Sequence, residues 1–386
     1  MPAHDHATER ASAQTSAASA EPSDERATEV LLDLVSIRSH SGDERAAVER
    51  FVEAADSLGL ETFIDGAGNG IARRCTGTSD RRSIALLGHI DTVPGDIPVR
   101  IEDGTLHGRG AVDAKGPLVT LLFAAARAQL PPGVELCVIA AVGEETPDSP
   151  GARYLKDHMQ PDACVIGEPS GWDGVTLGYK GRLIAHARAR RTCAHTAGAE
   201  ASAGDCVVAW WGDVLMLTRR INEGSQRMFD RVQAGIRSLR SDSDGLLDAA
   251  ELEAGFRLPP GVPPAQLEAE LTRLANIHGV SLAFRGREQA CMTDRLDPVV
   301  RAISTSIRAA GAVPRPKLKT GTSDLNVVAP TWRCPIAAYG PGDSSLDHTP
   351  IEHLSLDEFH RAIAVLSGAL STLAAELIGR DSTTCP

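Results

Sequence analysis

Three short apolar runs, Ser83 to Leu87, Val134 to Val142 and Ala163 to Ile166, each end abruptly in polar or acidic residues. Runs of that length that are apolar through their centres have both faces buried, as strands do inside a mostly parallel sheet. Parallel neighbours need a crossover. Val112 to Gln129 supplies one, because its largely apolar centre, Leu118 to Ala126, suits a helix lying over the sheet. An α/β architecture follows. In open sheets of this kind ligands bind beyond the carboxyl ends of the strands, where the histidine and carboxylates fall here.

The rest of the chain is organised around that sheet. Thr28 to Val35 and Gly42 to Leu58 carry apolar residues at helical spacing and predict two surface helices. The texture changes near Thr176: Gly181 to Thr192 alternates, Ala203 to Asn222 and Pro264 to Ile277 suggest helices, and Val280 to Phe284 a strand. This is the pattern of an inserted α+β domain. The main domain resumes near Asp294 with helices Pro298 to Ala310 and Leu356 to Leu377. A length of 386 residues also favours two domains over one core. The expected division is a disordered tail over 1–27, a catalytic domain over 28–177 and 292–386, and a lid over 178–291.

Bulk charge excludes some functions. A formal net charge of -12 argues against nucleic acid or a membrane surface as the main partner. The 8 cysteines are scattered with no C-x-x-C pair, so they read as reduced thiols. The stretch Met1 to Glu29 lacks the apolar run of a signal or a membrane span, which leads to the expectation of a cytoplasmic protein.

The chemistry lies in five pieces. Hydrolysing an amide at neutral pH needs an activated water and stabilisation of charge on the carbonyl oxygen, and a metal pair supplies both. Imidazole and carboxylate are the ligands zinc takes in such sites. In Gly88-His89-Ile90-Asp91, residues two apart point to one side, so His89 would ligate and Asp91 orient its ring. In Gly108-Arg109-Gly110-Ala111-Val112-Asp113-Ala114-Lys115-Gly116, the two oxygens of Asp113 could bridge two ions. In Gly143-Glu144-Glu145, adjacent side chains diverge, leaving Glu144 as general base and Glu145 as ligand. Glu168 and His348 complete two coordination spheres.

Taken in order, these motifs resemble the di-zinc clan that includes DapE, ArgE, aminoacylase and glutamate carboxypeptidase, over nearly all of the chain after the tail. The resemblance implies a zinc-peptidase-like catalytic domain with an inserted lid that often mediates dimerisation. It also implies two zinc ions, with cobalt or manganese as alternatives. Within the clan the chain looks most like LysK-type hydrolases, which release lysine or ornithine from the amino-group carrier protein LysW. Gly88 to Val99, Lys319 to Asn326 and Tyr339 to Pro350 carry that likeness, as does the short interval from Asp91 to Asp113.

The same resemblance assigns further residues. Ala194-His195-Thr196-Ala197 is similar to the lid motif whose histidine holds the oxyanion, often in the partner subunit's site. Arg257 in Phe256-Arg257-Leu258-Pro259 matches an arginine that meets a substrate carboxylate, with an ordinary surface ion pair as the alternative. Gly321, Thr322 and Ser323 resemble a loop that binds the substrate's free carboxylate, although the same letters suit an ordinary turn. Arg188 and Arg190 share one face of a lid strand and could meet an acidic carrier tail, or simply be solvated. His107 and Ala199 depart from the family pattern and leave room for a different carrier-bound diamino acid.

The implied activity is therefore cleavage of a linear amide, freeing lysine, ornithine or a related diamino acid from the carrier's C-terminal glutamate in amino-acid biosynthesis. The alternatives are an N-acyl-amino-acid deacylase of acetylornithine or succinyl-diaminopimelate type, a carboxypeptidase, or an inactive metal-binding regulator.

Overall fold

The structure is a computed structural model that describes residues 21–77, 81–195 and 198–381. The tail expected over 1–27 falls outside the described residues as far as position 20. Helix α1 (Asp24–Ser36) begins four residues before Thr28, because the Ser23 hydroxyl caps it by accepting the Arg26 N–H at 3.2 Å. Asp24 and Glu25 sit at the positive end of its dipole, so charges that resemble a solvated tail here favour a helix start.

The main sheet runs β1 (Glu61–Ile64), β2 (Gly70–Thr76), β6 (Val134–Ala141), β3 (Arg82–His89), β7 (Ala163–Gly167), β15 (Ile336–Tyr339), β8 (Gly174–Tyr179) and β13 (Cys291–Met292), with β14 (Arg315–Lys319) also paired to β8. Its centre, β6-β3-β7-β15, is parallel. Toward the edges, β1-β2, β2-β6, β15-β8 and β8-β13 are antiparallel, so the sheet is mixed. Of the parallel centre, β3, β6 and β7 are legible in the sequence as apolar runs.

Alternation along those central strands explains why they are apolar throughout. Ile84 and Leu86 of β3, Leu136 and Val138 of β6 and Val165 of β7 enter one core. There they meet α1, α2 (Arg45–Ser57), α3 (Lys115–Arg127), α7 (Pro298–Ala309) and α9 (Leu356–Asp381). Ala85, Leu87, Ile139 and Ile166 face the other way, onto α4 (Pro150–His158) and α8 (Asp324–Trp332). Helix α9 is apolar and long enough to cross a membrane, but here it packs against α3 and α7.

A second sheet, β10 (Gln233–Ser243), β11 (Leu247–Leu258), β9 (Gly181–Thr192) and β12 (Ser281–Glu288), is antiparallel throughout. One face carries Leu183, Ala185, Ala187 and Ala189 into a separate core beneath α5 (Ala203–Ile221) and α6 (Pro264–His278). A small sheet, β16 (His353–Ser355), β5 (Thr105–His107) and β4 (Arg100–Glu102), supports the loop that leads to Asp113.

The chain passes between the two large sheets at Lys180 and again at Gln289. Asn326 of α8 ties these crossings together, its amide donating to Lys180 O at 3.2 Å and Gln289 O at 2.7 Å.

Candidate active site

Strand register does most of the assembly. His89 ends β3 opposite Ala141 of β6, and Gly88 stands opposite Gly167 of β7. Because these three strands are parallel, their carboxyl ends deliver His89, the Glu144–Glu145 turn and Glu168 to one edge. His348 reaches the same edge from the loop after β15. It holds φ +62, a left-handed conformation in which a histidine is uncommon.

Asp91 anchors two of these pieces together. It is fully buried, and its carboxylate accepts the Glu144 N–H and the Glu145 N–H, each at 3.0 Å, and the Ser41 hydroxyl at 2.7 Å. Its Oδ1 also lies 3.4 Å from His89 Nδ1. Burial alone would raise its pKa, yet these bonds, His89 first, hold it below the usual carboxylate range. Asp91 thus lies beside the His89 ring and ties down the backbone of the paired glutamates.

Asp113 lies between two imidazoles. Its Oδ1 is 3.1 Å from His89 Nε2 and its Oδ2 is 3.0 Å from His348 Nε2. His348 Nε2 is also 2.9 Å from Glu145 Oε1. The loop that presents Asp113 makes tight demands: Gly110 has φ +84, and a Cβ on Gly116 would come within 2.4 Å of Ala111 O. Lys115, also buried, donates to Leu34 O at 2.8 Å and Ile37 O at 2.7 Å, closing the carboxyl end of α1. Burial pulls its ammonium down to about 7.

The donor set suits cations. Ligand atoms of His89, Asp113 and Glu145 all lie within 4.8 Å of one another. Hydrogen bonds to Asp113 and Glu145 push His348 up to about 10. Burial raises Glu144 well above its ordinary value and Glu168 up to about 6. Asp113 goes the other way: despite burial, the two imidazoles pull it far down. Carboxylates held together by protonated imidazoles are the arrangement that bound cations would replace, and imidazole with carboxylate is a donor set that zinc accepts.

The cluster opens on a cavity of about 840 Å³. Asp113, Glu144, Glu145, Glu168 and His348 line it from the main sheet, and Arg182, Arg237 and Arg257 from the second. Glu168 keeps Tyr179 OH at 3.5 Å and Lys319 Nζ at 3.7 Å. Arg257 donates to the Thr322 hydroxyl at 2.6 Å, and Gly321 and Thr322 lie on the wall.

Two residues singled out from the sequence lie elsewhere. Ser323 is buried behind the wall, where its hydroxyl accepts the Leu325 N–H at 3.3 Å and starts α8. His195 is exposed just past the far end of β9, whereas Arg182 at the near end lines the cavity. Roughly 30 Å of strand separates Arg182 from Thr192, at about 3.3 Å per residue.

The structure adds residues that the sequence reading did not single out: Ser41, Tyr179, Arg182, Lys319, Asp347 and Glu352. Glu352 is fully buried and accepts the Val112 and Asp113 N–H groups at 2.9 Å and 3.1 Å, together with Arg109 at 2.8 Å. Its signal was faint, a lone acid four residues beyond His348.

Residues 85–372 match the profile of Peptidase family M20/M25/M40. A LysW-lysine hydrolase of Deinococcus radiodurans is 44% identical over 91% of this chain and 98% of its own. Among solved structures, an M20 family metallo-carboxypeptidase from Sulfolobus solfataricus superposes with a TM-score of 0.73 at 16% identity, covering 90% of this chain and 99% of that one. A dinuclear metal binding peptidase of Bacillus subtilis gives 0.65 at 15% identity, covering 92% and 98%.

Proposed function

Because the chain belongs to Peptidase family M20/M25/M40, we propose that it is a two-metal amidohydrolase releasing lysine, ornithine or a related diamino acid from the C-terminal glutamate of an amino-group carrier protein. One observation carries the hydrolytic part: both oxygens of Asp113 face imidazoles, with Glu144 on the wall of the same cavity. The 44% identity to the Deinococcus LysW-lysine hydrolase, over nearly both full lengths, supports the carrier as substrate.

His89, Asp113, Glu145, Glu168 and His348 would hold the two metals, which would be zinc, with cobalt or manganese able to substitute. When bound they supply Lewis-acid polarisation of the amide carbonyl and lower the pKa of an attacking water. Glu144 takes that water's proton. Burial has raised the affinity of its carboxylate for protons, which suits it to accept one and return it to the leaving nitrogen. Asp91 holds the Glu144 backbone in place throughout. Arg257, with the loop at Gly321 and Thr322, binds a carboxylate of the substrate, and Ser323 shapes that loop from behind. His195 donates to the developing oxyanion in the site of a second copy, since the cavity of its own copy lies at the opposite end of β9, by Arg182.

The unit 178–291 acts as lid and dimerisation surface. The seven described cysteines are free thiols, which supports a cytoplasmic location.

The test is mass spectrometry of lysine- or ornithine-loaded carrier before and after incubation with the metal-loaded protein. Loss of one amino-acid residue from the carrier is expected. Cleavage of acetylornithine or succinyl-diaminopimelate, with the loaded carrier left intact, would replace this reading by a deacylase.

A further inference from the structure

The cavity walls hold more charge than metal binding and proton transfer use. Of the five carboxylates there, Asp113, Glu145 and Glu168 are assigned to metal and Glu144 to the proton. Asp347 is left over. Its Oδ1 is buried and accepts no hydrogen bond among the described residues, a costly state for a carboxylate oxygen unless something binds it.

The cations divide in the same way. Arg182 is held by Glu288 at 3.0 Å and Arg237 by Glu253 at 3.4 Å. Among the described residues, Arg257 donates to a neutral hydroxyl, that of Thr322, and forms no ion pair. Lys319 has Glu168 at 3.7 Å, a carboxylate already assigned to metal. Once internally satisfied groups are set aside, the cavity presents two cations and one acid with an unbonded oxygen.

A diamino acid joined to a C-terminal glutamate has the complementary set. One carboxyl of the glutamate is tied up in the amide and the other is free. The amino acid contributes its own carboxylate and a side-chain ammonium. Two anions and one cation therefore flank the scissile bond.

We propose that Asp347 is the specificity-determining residue of this site: its carboxylate receives the side-chain ammonium of the released amino acid, while Arg257 and Lys319 receive the two carboxylates. The assignment rests on the reading that the substrate is a diamino-acid amide. It explains why an acid with a buried, unbonded oxygen lies on the wall. It also separates this site from those for neutral amino acids, whose side chains offer no ammonium for such an acid to receive.

The experiment compares metal-loaded wild type with Asp347→Asn, a substitution that preserves shape and removes charge. Calorimetry measures binding of free lysine and of norleucine, its uncharged analogue, and metal content is measured alongside. Wild type is expected to prefer lysine by ~10- to 100-fold, the range of one hydrogen bond to a charged group, and the variant to lose that preference with its metals retained. The same collapse is expected in kcat/KM for lysine-loaded against norleucine-loaded carrier. If Asp347→Asn weakens both ligands equally, loses metal, or keeps the wild-type preference, the assignment is overturned. If wild type binds lysine through Asp347 yet leaves loaded carrier uncut, the carrier reading falls and the role of Asp347 stands.

Discussion

Replacing Glu352 should damage a site whose cavity Glu352 does not line. Its carboxylate lies behind the loop carrying Asp113, accepting two backbone N–H groups through Oε1 and the Arg109 guanidinium through Oε2. Glu352 is fully buried and the Arg109 side chain is only 11% exposed, so water cannot take over these bonds. Glu352→Ala leaves two buried donors and most of a cation unpaired. Breaking one side of a buried pair costs about 3–5 kcal/mol, and we expect about 4 kcal/mol here. Glu352→Gln keeps a carbonyl for the two N–H groups but turns an amide NH2 toward Arg109, so about 2 kcal/mol is expected.

The functional consequence is separate from stability. With its supporting acceptor gone, Asp113 is free to turn away from the line between His89 and His348, and metal affinity should fall about 10- to 100-fold. Urea unfolding of the metal-free protein measures the first effect, and competition with a chelator the second. The reasoning is refuted if Glu352→Ala stays within about 1 kcal/mol of wild type and binds metal equally well.

Glu144→Gln should retain both metals and lose about 10³-fold in kcat, the range for removing a general acid–base group, whereas near-normal turnover would remove Glu144 from the mechanism. Metal affinity should rise with pH. His348 is raised to about 10 in the metal-free protein, so at neutral pH its proton must leave before it can ligate, adding about one order of magnitude in affinity per pH unit for each proton displaced. A chelator titration at several pH values that shows no slope would contradict this. The stability of the metal-free protein should run the opposite way, because a pKa raised above 6.5 contributes stability that is lost as pH climbs toward about 10. Mixing two inactive variants, Glu144→Ala and His195→Ala, should restore about a quarter of wild-type activity if copies exchange: half of the dimers are mixed, and one of the two sites in each is whole. No recovery would place His195 outside the partner's site.

What the sequence revealed followed from burial on both faces. Strands β3, β6 and β7 are apolar at every central position because Ile84 and Leu86 pack on one side while Ala85 and Leu87 pack on the other. Such runs are visible without coordinates, and so are the residues that end them. Strands β1, β10 and β14 were not legible, since they lie at sheet edges or carry polar faces. Strand β10 is exposed along most of its length, and nothing in its letters separates it from a loop. Helix α1 starts four residues earlier than its apolar spacing suggests, because an acidic first turn and an acidic tail have the same composition.

The site was legible to the same depth and for the same reason. His89, Glu144, Glu145 and Glu168 follow apolar runs, so strand direction alone places them together. Asp347 and Glu352 are placed by loop geometry, for which sequence spacing is no guide, and both do their work through atoms hidden from solvent. The distinction has a chemical basis. A ligand at a strand end needs only the sheet's register, which the parallel centre supplies at no extra conformational cost. Asp113 comes from a loop and has no register to hold it, so its position depends on Glu352 from one side and on Lys115 gripping α1 from the other. Asp113 is therefore the member of the site whose geometry rests most heavily on buried polar residues, and substitutions at those supports should affect metal binding before they affect the sheet.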